Sequence, residues 1–194
     1  MDTKTQIIEI ARKLFAELGF DGVSVRTICA QANCNVSAIS YYFGSKEELF
    51  HATMVEGAER RIKSIQGVLT TPENVDDFKT KLRIFLHQFF ENSCDNSCTI
   101  RIIARDNKLI AENESVRAYF KIIPDIVAKF FGEAQERGIL KKDFDPQILV
   151  DLTFSPYFMK ILFADTKLGT PIDQDTRQRM VDQHIEIFCN GYLV

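Results

Sequence analysis

The stretch NVSAISYYFGSKEELF, Asn35 to Phe50, decides how this chain is read. Taken as a short helix over Val36–Phe43, it stands Ile39 and Phe43 one turn apart on a single buried side. Ser37, Ser40, Tyr41 and Tyr42 then face its flanks and outer surface, and two adjacent exposed tyrosines require a polar partner. The following Ser45-Lys46-Glu47-Glu48 is a capping box, in which the Ser45 hydroxyl accepts from the Glu48 amide and the Glu48 carboxylate reaches back. A new helix therefore begins at Lys46. That lysine is a cation at the positive end of a helix dipole, an unfavourable place that favours a nearby anion.

Upstream, Ile7, Ile8, Ala11, Leu14, Phe15 and Leu18 form one helical stripe, and Gly19 follows as a C-terminal stop. A second helix starts after Ser24 as N-cap and buries Val25, Ile28, Cys29 and Ala32. The linking turn, QANCNVS, needs a residue that tolerates positive φ, and Asn35 is the candidate. Two short helices so joined make a helix-turn-helix over residues 24–43. Downstream, the apolar positions Leu49, Phe50, Met54, Ala58, Ile62 and Ile65 run on to Gly67, which predicts one helix of roughly 20 residues, or ~30 Å.

After GVLTTPEN, the expected linker, the composition turns rich in phenylalanine. Helical spacing recurs over 78–89, 100–110, 114–137, 146–162 and 173–192, with bending expected at Pro124, closure at Gly138 and interruption at Pro156. Strand-like alternation is missing, so the fold class is all-α, with about nine helices.

The 194 residues suffice for one large or two small domains, and the net charge of −3 supplies no global attraction to nucleic acid or anionic lipid. The charged, amphipathic N-terminus does not resemble a signal peptide and no apolar run is long enough to span a bilayer, so a cytoplasmic location is expected. Cys29, Cys34, Cys94, Cys98 and Cys189 lack zinc-site spacing and read as free thiols. Cys94 and Cys98 could act as a redox couple only if their segment unwinds. His51, His87 and His184 are scattered, and neither a phosphate loop nor a nucleophile signature is present. No enzymatic activity, metal or cofactor is expected.

The segment IIEIARKLFAELGFDGVSVRTICAQANCNVSAISYYFGSKEELF resembles the DNA-binding domain of the tetracycline-repressor (TetR) family: a first helix ending Phe-x-x-x-Gly-Phe, a short second helix, and Tyr-Tyr-Phe-x-x-Lys-Glu-x-Leu. The resemblance implies that residues 1–50 are the DNA-binding domain and 51–194 a helical effector-binding and dimerisation domain. It implies that the helix from Ser37 enters the major groove, with readout from Val36, Ser37, Ala38 and Ser40. Tyr41, Tyr42 and Lys46 would meet phosphates, Ser24 and Thr27 would add phosphate contacts, and Arg26 would reach a base edge. The chain departs from the family in carrying Asn35 at the turn and Ser40 before the tyrosine pair.

The implied protein is a homodimeric regulator, a repressor released from a pseudo-palindromic operator on double-stranded DNA by a small, largely apolar effector. Phe85, Phe89, Tyr119, Phe120, Phe154 and Phe158 are the candidate pocket residues, with Arg101 and Arg105 as inward charges. Leu152, Phe158, Ile161, Phe188 and Tyr192, on the last two long helices, are the candidate dimer surface. The alternative is a helical regulator switched by a protein partner or by thiol oxidation, without a small ligand.

Overall fold

A computed structural model of residues 1–194 describes all of them except Met1, Gly57, Asn96, Asp165 and Leu168. The described residues form eleven helical segments: α1 (Thr3–Gly22), α2 (Val25–Gln31), α3 (Val36–Phe43), α4 (Lys46–Val55), α5 (Ala58–Val68), α6 (Val75–Asp95), α7 (Ser97–Arg105), α8 (Asn107–Glu112), α9 (Glu114–Glu136), α10 (Pro146–Phe163) and α11 (Gln174–Tyr192). Among them there is no strand, only an isolated bridge between Leu140 and Leu193.

Two of the expected helices are each divided. The one expected from Lys46 to Gly67 ends early because Glu56 turns to an extended ψ of 129°. The one expected over 100–110 breaks at Asp106 (φ −110°, ψ 30°), whose N–H closes α7 on the Ile102 carbonyl while its carbonyl accepts from Ile110 to open α8. Pro156, expected to interrupt α10, lies inside a continuous helix. Pro156 and Leu152, whose carbonyl loses its donor, are both on the solvent side, so the missing bond falls where the backbone group stays hydrated. α9 likewise runs through Pro124, and Gly138 (φ 71°) closes its C-terminal end, with the Ile139 amide donating to Ala134.

By backbone contact the chain separates into two compact units, residues 1–58 with 96–119 and residues 59–95 with 120–194. All of α4 and the 96–119 segment fall with the N-terminal helices rather than beyond a cut at residue 50, because α4 and α7 both pack along α1.

In the first unit, Ile7, Ile8, Ala11, Leu14 and Phe15 of α1 are buried, as are Ile28, Ile39, Leu49 and Phe50. Phe15 and Phe50 meet edge to face at 5.2 Å, and Phe20 meets Phe50 the same way at 5.3 Å. α1 leaves helical geometry at Gly19 (φ 75°, ψ 168°), a conformation essentially restricted to glycine. A Cβ there would stand 3.0 Å from Cδ of Arg105, whose Nη1 donates to the Glu17 carbonyl at 3.0 Å. One arginine thus satisfies a carbonyl near the end of α1 and holds α7 beside it. At the other side, Arg12 Nε donates to the Thr53 carbonyl at 3.0 Å. Asn113 caps α9 through the Val116 amide and donates its side-chain N–H to Nδ1 of buried His51 at 2.9 Å.

The second unit is built around phenylalanine. Phe78, Leu82, Phe85, Leu86 and Phe90 of α6 are fully buried, and Phe78 stacks on Phe130 of α9 at 5.1 Å. Phe131 stacks on Phe188 of α11 at 5.3 Å, and Phe90 meets Tyr157 of α10 at 4.9 Å.

Candidate nucleic-acid interface

α2 and α3 are held at an angle by a turn whose chemistry is visible atom by atom. Ser24 caps α2, accepting from the Thr27 amide at 3.0 Å, and its hydroxyl also meets the Thr27 hydroxyl at 2.8 Å. The positive φ of the turn belongs to Asn33 (φ 49°), not Asn35. The left-handed residue is the one that ends α2, where the Cys34 amide folds back onto the Cys29 carbonyl at 3.0 Å. Asn35 is instead the N-cap of α3, in extended geometry and without a side-chain cap bond.

α3 has one fully buried side chain, Ile39, while Phe43 is half-buried. Val36, Ser37, Ser40 and Tyr41 are exposed, Ala38 is half-buried, and Arg26 on α2 is exposed. Tyr41 is 83% exposed and Tyr42 39%, their rings meeting edge to face at 5.0 Å, so each restrains the other. Gly44 (φ 84°) ends the helix, and Ser45 caps α4 by accepting from Glu48 at 3.0 Å. Lys46 Nζ lies 4.1 Å from the centroid of the Phe20 ring. That cation–π contact, worth about 0.5–1 kcal/mol at such a site, offsets the unfavourable dipole and fixes the ammonium beside the start of α4. Every residue singled out for DNA contact lies in the first unit. Phe20, which seats the lysine, is not singled out as a site residue in the sequence. The signal for Phe20 was its place in the same motif.

The pocket candidates divide between the units. Arg101, Arg105 and Tyr119 are in the first, and Phe85, Phe89, Phe120, Phe154 and Phe158 in the second. Arg105, expected to turn toward an effector, is exposed and engaged with the Glu17 carbonyl. Arg101, Tyr119 and Phe120 are half-buried and in contact with neighbours. Phe154 meets Phe85 at 5.9 Å and Phe89 at 4.7 Å, which makes a true aromatic cluster of α6 and α10, while Phe158 is half-buried on the same helix.

Two polar groups join that cluster. Tyr157 is fully buried and stacks at 5.4 Å on the half-buried His184 ring of α11. The Tyr157 hydroxyl and His184 Nε2 are buried without a hydrogen-bond partner. Burial pushes the tyrosine's pKa up and the histidine's down, so both are neutral near pH 7. Tyr157 is not singled out in the sequence, and His184 reads there only as one of three scattered histidines.

The dimer candidates also divide. Ile161 and Phe188 are 2% and 3% exposed, filled into their own unit's core by contacts such as Phe188 on Phe131, and cannot face a second chain. Tyr192 is half-buried against Phe144 at 4.7 Å, whereas Leu152 is exposed. Ile148, Leu152 and Met159 on α10 are 56%, 49% and 50% exposed, at spacings that share one helix face. Ile187 of α11 is 73% exposed.

Among the described residues no cluster of three His, Cys, Asp or Glu side chains could hold a metal ion. No helix among the described residues is long and apolar enough to cross a membrane.

Comparison with known proteins agrees with the geometry. Residues 7–53 match the model of bacterial regulatory proteins, tetR family. The chain is 38% identical over 191 residues to the "Probable HTH-type transcriptional regulator YttP" of Bacillus subtilis, covering 87% of this chain and 92% of that protein. It is 33% identical over 92 residues to the HTH-type transcriptional repressor AcnR of Corynebacterium glutamicum, covering 43% and 49%. In fold it is similar to FadR from Bacillus subtilis, solved in complex with stearoyl-CoA (TM-score 0.75, 18% identity, 96% and 98% covered). It is also similar to the ketosteroid regulator KstR2 of Mycobacterium tuberculosis (TM-score 0.73, 18% identity, 100% and 96% covered).

The two caps of this interface are expected to respond differently to truncation. Ser24→Ala removes a cap bond and should lower the unfolding free energy by about 1 kcal/mol, whereas Asn35→Ala removes none and should leave it within about 0.5 kcal/mol of wild type. Urea unfolding of the two variants checks this, and equal losses would mean that Asn35 does cap α3 in solution.

Proposed function

The chain belongs to the tetR family of bacterial regulatory proteins, and from that premise we propose that this DNA-binding transcriptional regulator is a homodimeric repressor released from its operator by a small effector. The observation that carries the reading is the edge of α3: two exposed, mutually restrained tyrosines beside a lysine held at the start of α4. Hydroxyls and an ammonium so placed suit phosphate oxygens and orient the helix. Val36, Ser37, Ala38 and Ser40 offer methyl and hydroxyl contacts to base edges, Arg26 suits guanine, and Ser24 and Thr27 add hydroxyls at the start of α2. Repression is supported by AcnR, a repressor to which this chain is 33% identical over 92 residues.

The exposed face of Ile148, Leu152 and Met159, together with the exposed Ile187 on the next helix, supports a two-fold interface of two helices per subunit. Two recognition helices related by that symmetry would read half-sites about 34–36 Å apart, or a multiple of a helical turn. For the effector, the Phe85, Phe89 and Phe154 cluster with the stranded Tyr157 hydroxyl suits a largely apolar molecule carrying one polar group. FadR, of the same fold, was solved with stearoyl-CoA, whose acyl chain is apolar. Differential affinity of the effector for two conformations would supply the release.

Tyr41→Phe and Lys46→Ala are expected to weaken binding to operator and random duplex alike, each by about 1 kcal/mol. Arg26→Ala should lose about 1–3 kcal/mol on the operator and much less on random DNA, and Ile39→Ala should instead destabilise the unit by about 2–5 kcal/mol. Fluorescence anisotropy with parallel melting curves separates these, and unchanged affinities for the tyrosine and lysine variants would remove the docking proposed.

Leu152→Glu with Ile187→Glu should convert a dimer to a folded monomer in sedimentation and lower operator affinity; a persisting dimer would place the interface elsewhere.

Tyr157→Phe loses no hydrogen bond, so its melting temperature without ligand should equal or exceed that of wild type. In a thermal-shift panel of fatty acids, acyl-CoA thioesters and sterols, the shift caused by any binder should fall by about 1 kcal/mol equivalent. A clear loss of stability in the ligand-free variant would show that the hydroxyl is already bonded and sink its assignment to the effector.

A further inference from the structure

The turn that joins α2 to α3 ends in a pattern that the helix-turn-helix itself does not require. Asn33 adopts the left-handed conformation (φ 49°) and the Cys34 amide donates to the Cys29 carbonyl at 3.0 Å, the long-range bond of a Schellman turn. In that turn the two residues joined by the bond bring their side chains together, ordinarily as an apolar contact. Here both are cysteine. Their thiols are near enough for Cys34 to raise the Cys29 pKa, Cys29 being 3% exposed and Cys34 half-buried. α3 starts two residues after Cys34, at Val36.

We propose that Cys29 and Cys34 are a modification site: a thiol pair that a hydroperoxide converts to an intramolecular disulfide, altering the seat of α3 and lowering affinity for DNA. The effect on DNA rests on the function proposed above; the thiol chemistry does not. Cys34, the more accessible, attacks first: its thiolate takes the distal peroxide oxygen, the O–O bond breaks, and Cys34 becomes a sulfenic acid as water or an alcohol leaves. Cys29 then attacks Sγ of Cys34, the S–O bond breaks, and the disulfide forms as the hydroxyl leaves with the Cys29 proton as water. Two thiols lose two electrons, and the peroxide gains them. Burial and the neighbouring thiol push the Cys29 pKa up to about 11, which suits the resolving rather than the attacking role.

The bond replaces a non-covalent contact and draws both sulfurs to bonding distance. Cys29 cannot move far, being packed within the core of the first unit. The displacement therefore falls on Cys34 and the first turn of α3, the part that carries Val36 and Ser37. A thiol reductant reverses the change.

The test treats the full chain with hydrogen peroxide in a Cys94→Ser, Cys98→Ser background, and measures two things. Peptide mass mapping reads the Cys29–Cys34 link, and anisotropy reads affinity for a duplex selected from a random pool by the reduced protein. The expected result is a linked peptide, an affinity loss of tenfold or more, and recovery of both with dithiothreitol. Cys34→Ser, at a half-buried site, should fold, form no link and keep its affinity under peroxide; Cys29→Ala, checked by melting, should behave alike in affinity. Absence of the linked peptide overturns the thiol chemistry. A linked peptide with unchanged affinity, or an equal loss in Cys34→Ser, overturns the switch. If the reduced protein selects no duplex at all, it is the DNA-binding reading that fails.

Discussion

The contact of Phe15, Phe20 and Phe50 is the constraint on which the surface around α3 and the start of α4 depends. Phe15 and Phe50 lie fully inside the first unit and set the distance between α1 and α4. Phe20 closes over Phe50 only because Gly19 breaks the helix before it, and its open side carries the Lys46 ammonium. The aromatic core and the cationic surface group are thus two faces of one ring. The same break brings Arg105 onto the Glu17 carbonyl, which brings α7 into the unit. A larger residue at position 19 would strain the backbone and press on that arginine together.

With that frame set, α3 needs little to hold it. Its single fully buried residue, Ile39, fixes rotation, Gly44 and Ser45 fix where it stops and where α4 begins, and the turn at Asn33 fixes its angle to α2. Most of the side chains from Val36 to Tyr42 are thereby left for a partner, a distribution that would be wasteful in a helix meant only for packing. Val36–Phe43 holds no Lys or Arg, and the cations nearest to it in sequence are Arg26 before it and Lys46 after it.

The second unit follows a different logic. Stacked phenylalanines from α6, α9 and α11 fill its centre, and such rings tolerate no unpaired polar group without a free-energy cost. Tyr157 and His184 nevertheless bury unpartnered polar atoms there, stacked on each other and beside Phe89 and Phe90. Buried unsatisfied groups are rare in native proteins, so their position beside the aromatic cluster of α6 and α10 is the part of this unit that most resembles a site.

Much of the first unit was legible in the sequence because its determinants are local. The stripe of α1 except Leu18, which is 53% exposed beside the break at Gly19, the Ser24 and Ser45 caps, the placement of Ile39 and the exposure of Tyr41 and Tyr42 depend on residues within a few positions of one another, which periodicity and capping chemistry report directly. What eluded it was decided across distance. Asn33 rather than Asn35 took the left-handed conformation because the end of α2, not the start of α3, needed closing. The helix after Ser45 ended at Val55, although its apolar spacing ran on unbroken. Ile161 and Phe188 had the same apolar character as Leu152 and Ile187, and only packing within the second unit assigned the first pair to the core and the second to the surface. Residue type and spacing specify that a side chain will be buried on some face of a helix; which neighbour covers that face, and which faces are left over, is settled only when every other helix has taken its place.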